Sequence, residues 1–384
     1  MIIRPMVEDD RDAFVVLLRQ SFNQSPPYVA RMREAPIDRY RVAEIDGALV
    51  ACAGSLPVGH YFGGVAVGCA GVSGVVVAPH VRGGRIAEAI VESILREQRP
   101  SAPLSSLYPA TVPIYRRLGY EFGAIRCTYR VPMHRLTRFD DPLPVEPWND
   151  DALDEVVDAH CAWAAEQHGV MERSTAYWER LCNQFGDDPV YRVLVREDGR
   201  VTGSLIYHQE NGFHMDLVSH DFFWRTPAAA RSLITFVARH HSLGRDFVWS
   251  GPSTDPLLFH SAEYKIREKE RWHLMLRLLD VPAAIAARGY AAAIDAAVTV
   301  EVRDELFPEN AGPWRIAVTG GKAEVEPAQQ AEIAVGVGTL ASLYSGLITP
   351  ADARRSGLLD GSAGAADRLA AVFTGPAPWT PDFF

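Results

Sequence analysis

The pattern of apolar and polar residues predicts a mixture of helices and strands in the first third of the chain. An apolar start at 2–5 predicts a strand, and Phe14, Leu17, Leu18 and Phe22 recur at the spacing of one helix face. Further β-rich runs predict strands at 40–45, 49–57, 68–78, 104–108 and 120–131, and helices are predicted at 86–97 and 114–117. The order before the 86–97 helix is therefore β-α-β-β-β.

The remaining sequence divides into two more units behind a proline-bearing linker. Pro142, Pro144 and Pro147 lie within 136–148, a composition that suits a linker. Beyond it, helices are predicted at 150–167, 175–185 and 227–240, and strands at 191–195, 201–207, 213–218 and 247–249. From Trp272 the pattern changes, with strands at 273–279, 298–302, 314–318 and 332–337 and helices from Val281, at 338–344 and at 365–373. We therefore expect domains at 1–135, 149–270 and 271–384, joined first by the 136–148 linker.

Composition narrows the classes of function. The chain is 48% hydrophobic and 22% charged, as is usual for globular proteins. Its net charge of -10, without a long run of Lys and Arg, argues against nucleic acid or an anionic membrane as a partner and favours cationic substrates. Five cysteines without a C-x-x-C predict free thiols rather than a zinc site or disulfides, so no metal is expected. Neither a signal peptide nor an apolar run of about 18 residues appears, so we expect a cytoplasmic protein.

A basic, glycine-bearing turn joins the strand at 68–78 to the helix at 86–97. Its sequence is Pro79-His80-Val81-Arg82-Gly83-Gly84-Arg85. Such a turn presents free backbone N–H groups and the positive end of a helix to a phosphate, while glycine permits close approach. Ordinary β–α turns can share this pattern. A dinucleotide-binding unit would carry G-x-G-x-x-G after an early strand, and a P-loop would end in Gly-Lys-Ser/Thr; neither motif is present.

Two segments resemble the GNAT superfamily of N-acetyltransferases. Val77-Ala78-Pro79 with Arg82 and the glycine turn resembles the pyrophosphate loop of that family, and Ile114-Tyr115-Arg116-Arg117-Leu118-Gly119-Tyr120 resembles its later signature. The resemblance implies acetyl-CoA as the acyl donor. It also implies backbone contacts from Val75 and Val77 to the pantetheine arm, and a pyrophosphate site at Arg82, Gly83, Gly84 and Arg85.

Two positions depart from the family pattern. The family motif is Arg/Gln-x-x-Gly-x-Gly/Ala, and Arg85 stands where its first glycine is usual. We expect Arg85 to adopt helical backbone angles and its side chain to leave the phosphate path, as an extra phosphate ligand or a cause of weaker CoA binding. Ala110 stands where the family often has a small hydroxyl residue that contacts CoA. One side-chain hydrogen bond to the cofactor is therefore expected to be missing.

Over nearly its whole length the chain resembles the Eis (enhanced intracellular survival) family of aminoglycoside N-acetyltransferases. The resemblance is carried by 267–284, by Leu343-Tyr344-Ser345-Gly346 and by the ending Ala377-Pro378-Trp379-Thr380-Pro381-Asp382-Phe383-Phe384. It implies an α+β fold of two GNAT-like domains, with mixed sheets flanked by helices, and a C-terminal sterol-carrier-protein-like domain. It further implies a homohexamer, acetylation of a cationic small-molecule amine and a role in antibiotic resistance. Tyr115 would be the general acid for the CoA thiolate, and the C-terminal carboxylate of Phe384 would be the base for the substrate ammonium.

Elementary chemistry agrees with these roles and leaves alternatives open. An amine must lose a proton before it attacks a thioester, and a departing thiolate gains from a nearby proton donor. A tyrosine with a pKa of about 10 can be that donor, whereas a terminal carboxylate with a pKa of about 3.5 needs burial to act as a base. Tyr115 and the apolar ending are also compatible with simple packing, Tyr120 is expected in the core, and Asp382 is expected to add negative charge to the pocket. The acceptor could be a polyamine, a peptide lysine or an antibiotic intermediate, and a GNAT-fold binding protein without acyl transfer is the alternative from another class.

Overall fold

The computed structural model describes residues 1–22, 35–183, 189–210, 212–261 and 265–384. Within these ranges the strands form one 13-stranded sheet and one five-stranded sheet. Helices pack on both, so the fold is α+β. The larger sheet carries the first two units of the chain, and the smaller sheet carries the third.

The first unit covers residues 2–132. Its strands are β1 (Ile2–Pro5), β2 (Tyr40–Ile45), β3 (Ala48–Phe62), β4 (Val65–Val77), β5 (Leu104–Leu107) and β6 (Glu121–Pro132), and its helices are α1 (Arg11–Phe22), α2 (Ile86–Gln98) and α3 (Val112–Arg117). The first four strands pair antiparallel in sequence order. Apolar faces of α1 and α2 contact β3 and β4, and Phe14, Leu18 and Ile90 are fully buried there. The elements predicted for this region are all present, although β3 extends well beyond the predicted 49–57.

The second unit repeats the plan of the first. Its elements are β7 (Val145–Pro147), α4 (Leu153–Ala164), β8 (Met171–Glu172), α5 (Thr175–Asn183), β9 (Tyr191–Glu197), β10 (Arg200–Glu210), β11 (Asp216–Trp224), α6 (Pro227–Arg239) and β12 (Asp246–Gly251). The predicted helix at 175–185 is confirmed to Asn183, and its last two positions lie outside the described residues. The strand predicted at 213–218 instead spans β11. Phe213 belongs to the preceding turn and is 76% exposed, so the predicted start of this strand was wrong.

The third part of the chain begins with a strand that belongs to the large sheet. This strand, β13 (Arg267–Leu278), lies between β5 and β6 and pairs antiparallel with both. The other elements are α7 (Val281–Ala287), β14 (Ala296–Arg303), β15 (Gly312–Thr319), β16 (Lys322–Pro327), β17 (Ile333–Gly336), α8 (Val337–Ser345), α9 (Pro350–Arg355), β18 (Leu359–Gly361) and α10 (Ala363–Val372). The small sheet has the order β16-β15-β14-β17-β18.

A continuous sheet connects the first two units. β6 pairs with β13 along one part of its length and with β12 over Cys127–Pro132, and the full order is β1-β2-β3-β4-β5-β13-β6-β12-β11-β10-β9-β7 with β8 beside β3. All five cysteines are free thiols, as predicted. Among the described residues, no helix combines the length and the apolar character needed to cross a membrane.

Candidate active site

The two parallel strands β4 and β5 separate soon after they meet. They pair only from Cys69 to Gly71 on β4 and from Leu104 to Ser106 on β5. β4 then continues to Val77 without a partner strand on that side in the described part of the chain. The backbone edge that includes Val75 and Val77 is therefore open for hydrogen bonds to an extended ligand.

A β-bulge lies in the open part of β4. Cys52 pairs with Val76 and Gly54 pairs with Ser73, so one residue of β3 faces two residues of β4. Gly74 is one of these two residues and has φ +62°, a conformation that favours glycine. Sequence reasoning overlooked this bulge, although a glycine inside a β-branched run is its ordinary signal.

The basic turn predicted as a phosphate site connects the open edge of β4 to α2. Gly83 has φ +89°, and a Cβ placed there would meet no atom within 4 Å, so its backbone faces open space. The first helical bond after the turn runs from the N–H of Ala89 to the carbonyl of Arg85. Preceding N–H groups point out of the helix end, where an anion is favoured. Nε of Arg82 folds back and donates to the carbonyl of Val77 at 3.1 Å.

Arg85 does not adopt the helical angles expected from the sequence. It is the N-cap of α2 with φ 58° and ψ 18°, in the left-handed region. The chain must reverse there between the turn and the helix, which explains why a glycine is usual at this position. A left-handed non-glycine residue costs about 1–2 kcal/mol. The side chain of Arg85 is 78% exposed, and its Nε lies 3.8 Å from Oε2 of Glu88.

Tyr115 lies on the short helix α3, close to the point where β4 and β5 separate. Its ring meets that of Tyr120 edge-on, with centroids 6.0 Å apart. The hydroxyl of Tyr120 shares a hydrogen bond of 2.6 Å with Ser105, whose own hydroxyl donates to the carbonyl of Ala70 on β4. Tyr120 is therefore a core residue, as predicted. Burial raises the pKa of Tyr115 to about 12, so its phenol is protonated at neutral pH.

The C-terminal segment also reaches the point where β4 and β5 separate. Its backbone binds β6, since the N–H of Ile125 donates to Pro378 and the N–H of Thr380 donates to the carbonyl of Ile125. Phe384 ends the segment with its ring against Gly71, the last residue of β4 that pairs with β5. The Phe384 ring also meets Tyr108 at 6.1 Å, edge to face. Asp382, expected to line the pocket, is instead 2% exposed and bound to Arg173.

Ala110 has no hydroxyl to offer to CoA, and the sequence predicts no metal site. Ala110 is exposed in the link between β5 and α3. The next residue, Thr111, is the N-cap of α3, but its hydroxyl makes no capping hydrogen bond. Within the part of the chain that the structure describes, no group of three or more His, Cys, Asp or Glu side chains is arranged to hold a metal ion.

The second unit has a corresponding pair of parallel strands but a different turn. β11 and β12 pair only at Leu217 and Val218 with Phe247 and Val248. The turn before α6 has no glycine. Thr226 Oγ1 accepts from the N–H of Ala229, and Pro227 has no N–H to offer. This helix start is already capped and is a poorer anion site than that of α2.

Comparison with known protein families divides the chain into three matches. Residues 2–123 match an acetyltransferase (GNAT) domain, and residues 169–278 match a second family of the same description. Residues 281–381 match a sterol carrier protein domain. The predicted fold class is therefore confirmed.

Relatives and solved structures agree with this division. An uncharacterized N-acetyltransferase of Streptomyces griseus subsp. griseus is 29% identical, over 84% of this chain and 83% of the relative, and one of Streptomyces coelicolor is 28% identical over 89% and 88%. A GCN5-related N-acetyltransferase from Anabaena variabilis superposes with a TM-score of 0.95 at 28% identity over all of both chains. Another from Kribbella flavida gives 0.90 at 26% identity over 100% of this chain and 98% of that one. Eis1 from Mycobacterium abscessus, 24% identical with full coverage and a TM-score of 0.84, shares the fold.

Proposed function

Since the chain is an N-acetyltransferase of the GNAT type with a C-terminal sterol carrier protein domain, we propose that it acts as an Eis-like enzyme. It transfers an acetyl group from acetyl-CoA to a primary amine of a cationic small molecule, such as an aminoglycoside or a polyamine. The observation that carries the proposal is the position of Phe384, whose ring lies against Gly71 at the point where β4 and β5 separate. By the same likeness we expect a cytoplasmic homohexamer with a role in antibiotic resistance.

The residues of the first unit suit acetyl-CoA. The open edge of β4 at Val75 and Val77 offers backbone groups to the pantetheine amides. N–H groups at Gly83, Gly84 and Arg85 and the start of α2 suit the pyrophosphate, and the guanidinium of Arg82 adds positive charge. The donor supplies a thioester, whose acyl carbon is the electrophile.

Tyr115 is proposed as the general acid. A pKa raised to about 12 keeps its phenol protonated, so Oη has a proton to give as the C–S bond breaks. A free thiol has a pKa of about 8.5. Burial raises the pKa of the leaving CoA thiol as well, so the difference between its pKa and that of Tyr115 becomes smaller. Tyr120 cannot take this role easily because its hydroxyl is already bound to Ser105.

The terminal carboxylate of Phe384 is proposed as the base. It takes a proton from the substrate ammonium, and the freed amine nitrogen attacks the acyl carbon. The C–N bond forms, the C–S bond breaks, and the thiolate takes the proton of Tyr115. The attacking nitrogen then gives its second proton to the Tyr115 phenolate, which restores the phenol, and the carboxylate releases the first proton to solvent.

A thiol-release assay with acetyl-CoA tests the proposal. The panel contains aminoglycosides, polyamines and a lysine peptide, and the full chain is compared with one that ends at Phe383. Turnover with a polycationic amine that falls at least about tenfold on truncation, with unchanged circular dichroism, supports both the reaction and the base. Unchanged turnover in the truncated chain would remove the carboxylate from the mechanism. Turnover only with the peptide would replace the small-molecule acceptor by a protein lysine.

A further inference from the structure

We infer that the second acetyltransferase domain holds the C-terminal tail, Asp382 to Phe384, and thereby sets the position of the terminal carboxylate where β4 and β5 of the first domain separate. Arg173 is the positioning residue in this arrangement. The inference rests on the proposed function of the carboxylate. Holding the tail would also give a role to the second domain, in which the start of α6 is already capped by Thr226 and Pro227 and is a poor anion site.

Arg173 connects the tail to the second domain through two buried ion pairs. Its Nε lies 2.8 Å from Oδ1 of Asp382, and its Nη2 lies 2.7 Å from Oδ1 of Asp221 on β11. The three side chains are between 0% and 2% exposed. The guanidinium also lies over the ring of Trp178, 4.8 Å from its centroid. The guanidinium of Arg173 therefore lies between the two carboxylates and links Asp382 of the tail to Asp221 of the second domain.

This cluster is poorly suited to a purely stabilising role. Two carboxylates share one guanidinium, and Nη1 of Arg173 and Oδ2 of each aspartate have no hydrogen-bond partner within the described residues. Buried charges that are incompletely paired lose more in desolvation than they regain, and apolar residues of similar volume are often at least as stable. Fixing the tail in one place is a benefit that apolar packing would not give with the same directionality.

The backbone of the tail is held by groups from both domains. From α5, the hydroxyl of Tyr177 accepts from the N–H of Phe383, and Nη2 of Arg180 donates to the carbonyl of Phe383 at 3.0 Å. From the first domain, the hydroxyl of Tyr108 donates to the carbonyl of Asp382 at 2.7 Å. Phe384 is the next residue, so its carboxylate lies within about 4 Å of backbone that is already fixed.

The test compares Asp382→Asn with a matched buried pair that does not contact the tail. Arg277 and Asp304 form an ion pair of 2.7 Å with side chains 0% and 1% exposed. Asp304→Asn therefore removes one negative charge from an ion pair that is buried to the same extent as that of Asp382. Carboxypeptidase A, followed by mass spectrometry, reports how accessible Phe384 is. The pH dependence of kcat reports how well the base is placed.

We expect carboxypeptidase to remove Phe384 from Asp382→Asn at least about tenfold faster than from the wild type. We expect kcat to fall about 100-fold, with KM for acetyl-CoA within about twofold, because misplacement by about 1 Å has such an effect and the donor site is elsewhere. Activity should recover as the pH rises and solvent deprotonates the amine. Asp304→Asn should be less stable but should retain the carboxypeptidase resistance and the pH profile of the wild type.

Wild-type resistance to carboxypeptidase and a wild-type pH profile in Asp382→Asn would overturn the inference. If that variant does not fold, Arg173→Lys provides the same test, because lysine keeps the charge but cannot bridge two carboxylates in the same fork geometry. The two proposals fail differently. An intact chain that turns over no amine contradicts the proposed function, while the carboxypeptidase rates still decide whether the second domain holds the tail.

Discussion

The ring of Phe384 lies so close to Gly71 that a Cβ added to this glycine would stand 2.8 Å from Cε2 of the phenylalanine. Gly71 is the last residue of β4 that pairs with β5. The absence of a side chain there lets the chain end reach the point where the two strands separate. The fit between these two residues can be tested without changing either proposed catalytic group.

Replacing Gly71 with alanine should displace the Phe384 ring and lower kcat by about tenfold or more, since small misplacements of a reacting group are costly. Overpacking typically costs about 1–3 kcal/mol, so thermal unfolding is measured in parallel. Gly68→Ala is the matched control on the same strand, because a Cβ there meets only Cδ of Pro103 at 3.9 Å. Equal activity of the two variants would show that the close fit at Gly71 is unimportant.

Tyr115→Phe should reduce kcat by about 100-fold or more, because the variant has no proton to donate to the leaving thiolate. Tyr120→Phe is the comparison, as the two rings are in contact but the Tyr120 hydroxyl is bound to Ser105. We expect that variant to lose about 1 kcal/mol of unfolding free energy and little activity. Steady-state thiol release and urea unfolding measure the two effects. The assignment of Tyr115 fails if its variant keeps wild-type turnover.

Arg85→Gly should raise the free energy of unfolding by roughly 1 kcal/mol, because glycine adopts the left-handed region without strain. KM for acetyl-CoA should change by less than about threefold, since in the proposed site backbone N–H groups rather than this exposed side chain hold the pyrophosphate. Gly83→Ala should have the opposite effect on stability, because its φ is +89°. A large, salt-dependent rise in KM for Arg85→Gly would instead make the guanidinium a phosphate ligand.

His168 should make the protein less stable in mild acid. Burial and the nearby Arg288 lower the pKa of His168 to about 4, below the usual value of 6.5 in an unfolded chain. The folded state therefore favours the neutral ring, whose Nε2 accepts from the N–H of Gly63. Its contribution is complete above pH 6.5 and declines as the pH falls towards 4. Because of this group, the free energy of unfolding measured with urea should be about 2 kcal/mol lower at pH 5.0 than at pH 7.5.

A non-titrating variant isolates the contribution of His168. His168→Gln should have a smaller difference in unfolding free energy between pH 7.5 and pH 5.0 than the wild type. An equal difference in both proteins would assign the acid sensitivity to other groups. The carbonyl of His168 accepts from the N–H of Trp379, so the wild type should also become more sensitive to carboxypeptidase at pH 5.0.

Local chemistry made much of the fold predictable. Strands such as β2 were predicted with their observed ends, because alternation and a following Asp-Gly turn are properties of neighbouring residues. The glycine-bearing turn before α2 and the helix that carries Tyr115 could be located for the same reason. The strand β16 and the helix α9 were not predicted, since both are short and carry many charged residues, which leaves little apolar pattern to detect.

Other features depend on partners far away in the sequence. Arg173 and Asp382 are 209 residues apart, and nothing near either residue indicates that they meet. The pattern of β13 predicts a strand but not its neighbours, so its place in the large sheet was not predictable. The left-handed Arg85 was missed because an arginine gives no signal of the backbone angle that the turn imposes.

The position of β13 also has a consequence for synthesis on the ribosome. β5 and β6 are both made before residue 133, but the strand that fills the space between them begins at Arg267. At about 5–20 residues per second, their facing edges wait roughly 7–30 s for that partner. Unpaired edges of this kind invite association with other chains. The first family match, residues 2–123, therefore cannot complete its sheet without a strand from the second match, residues 169–278. We expect the nascent first domain to need protection from association until β13 has emerged.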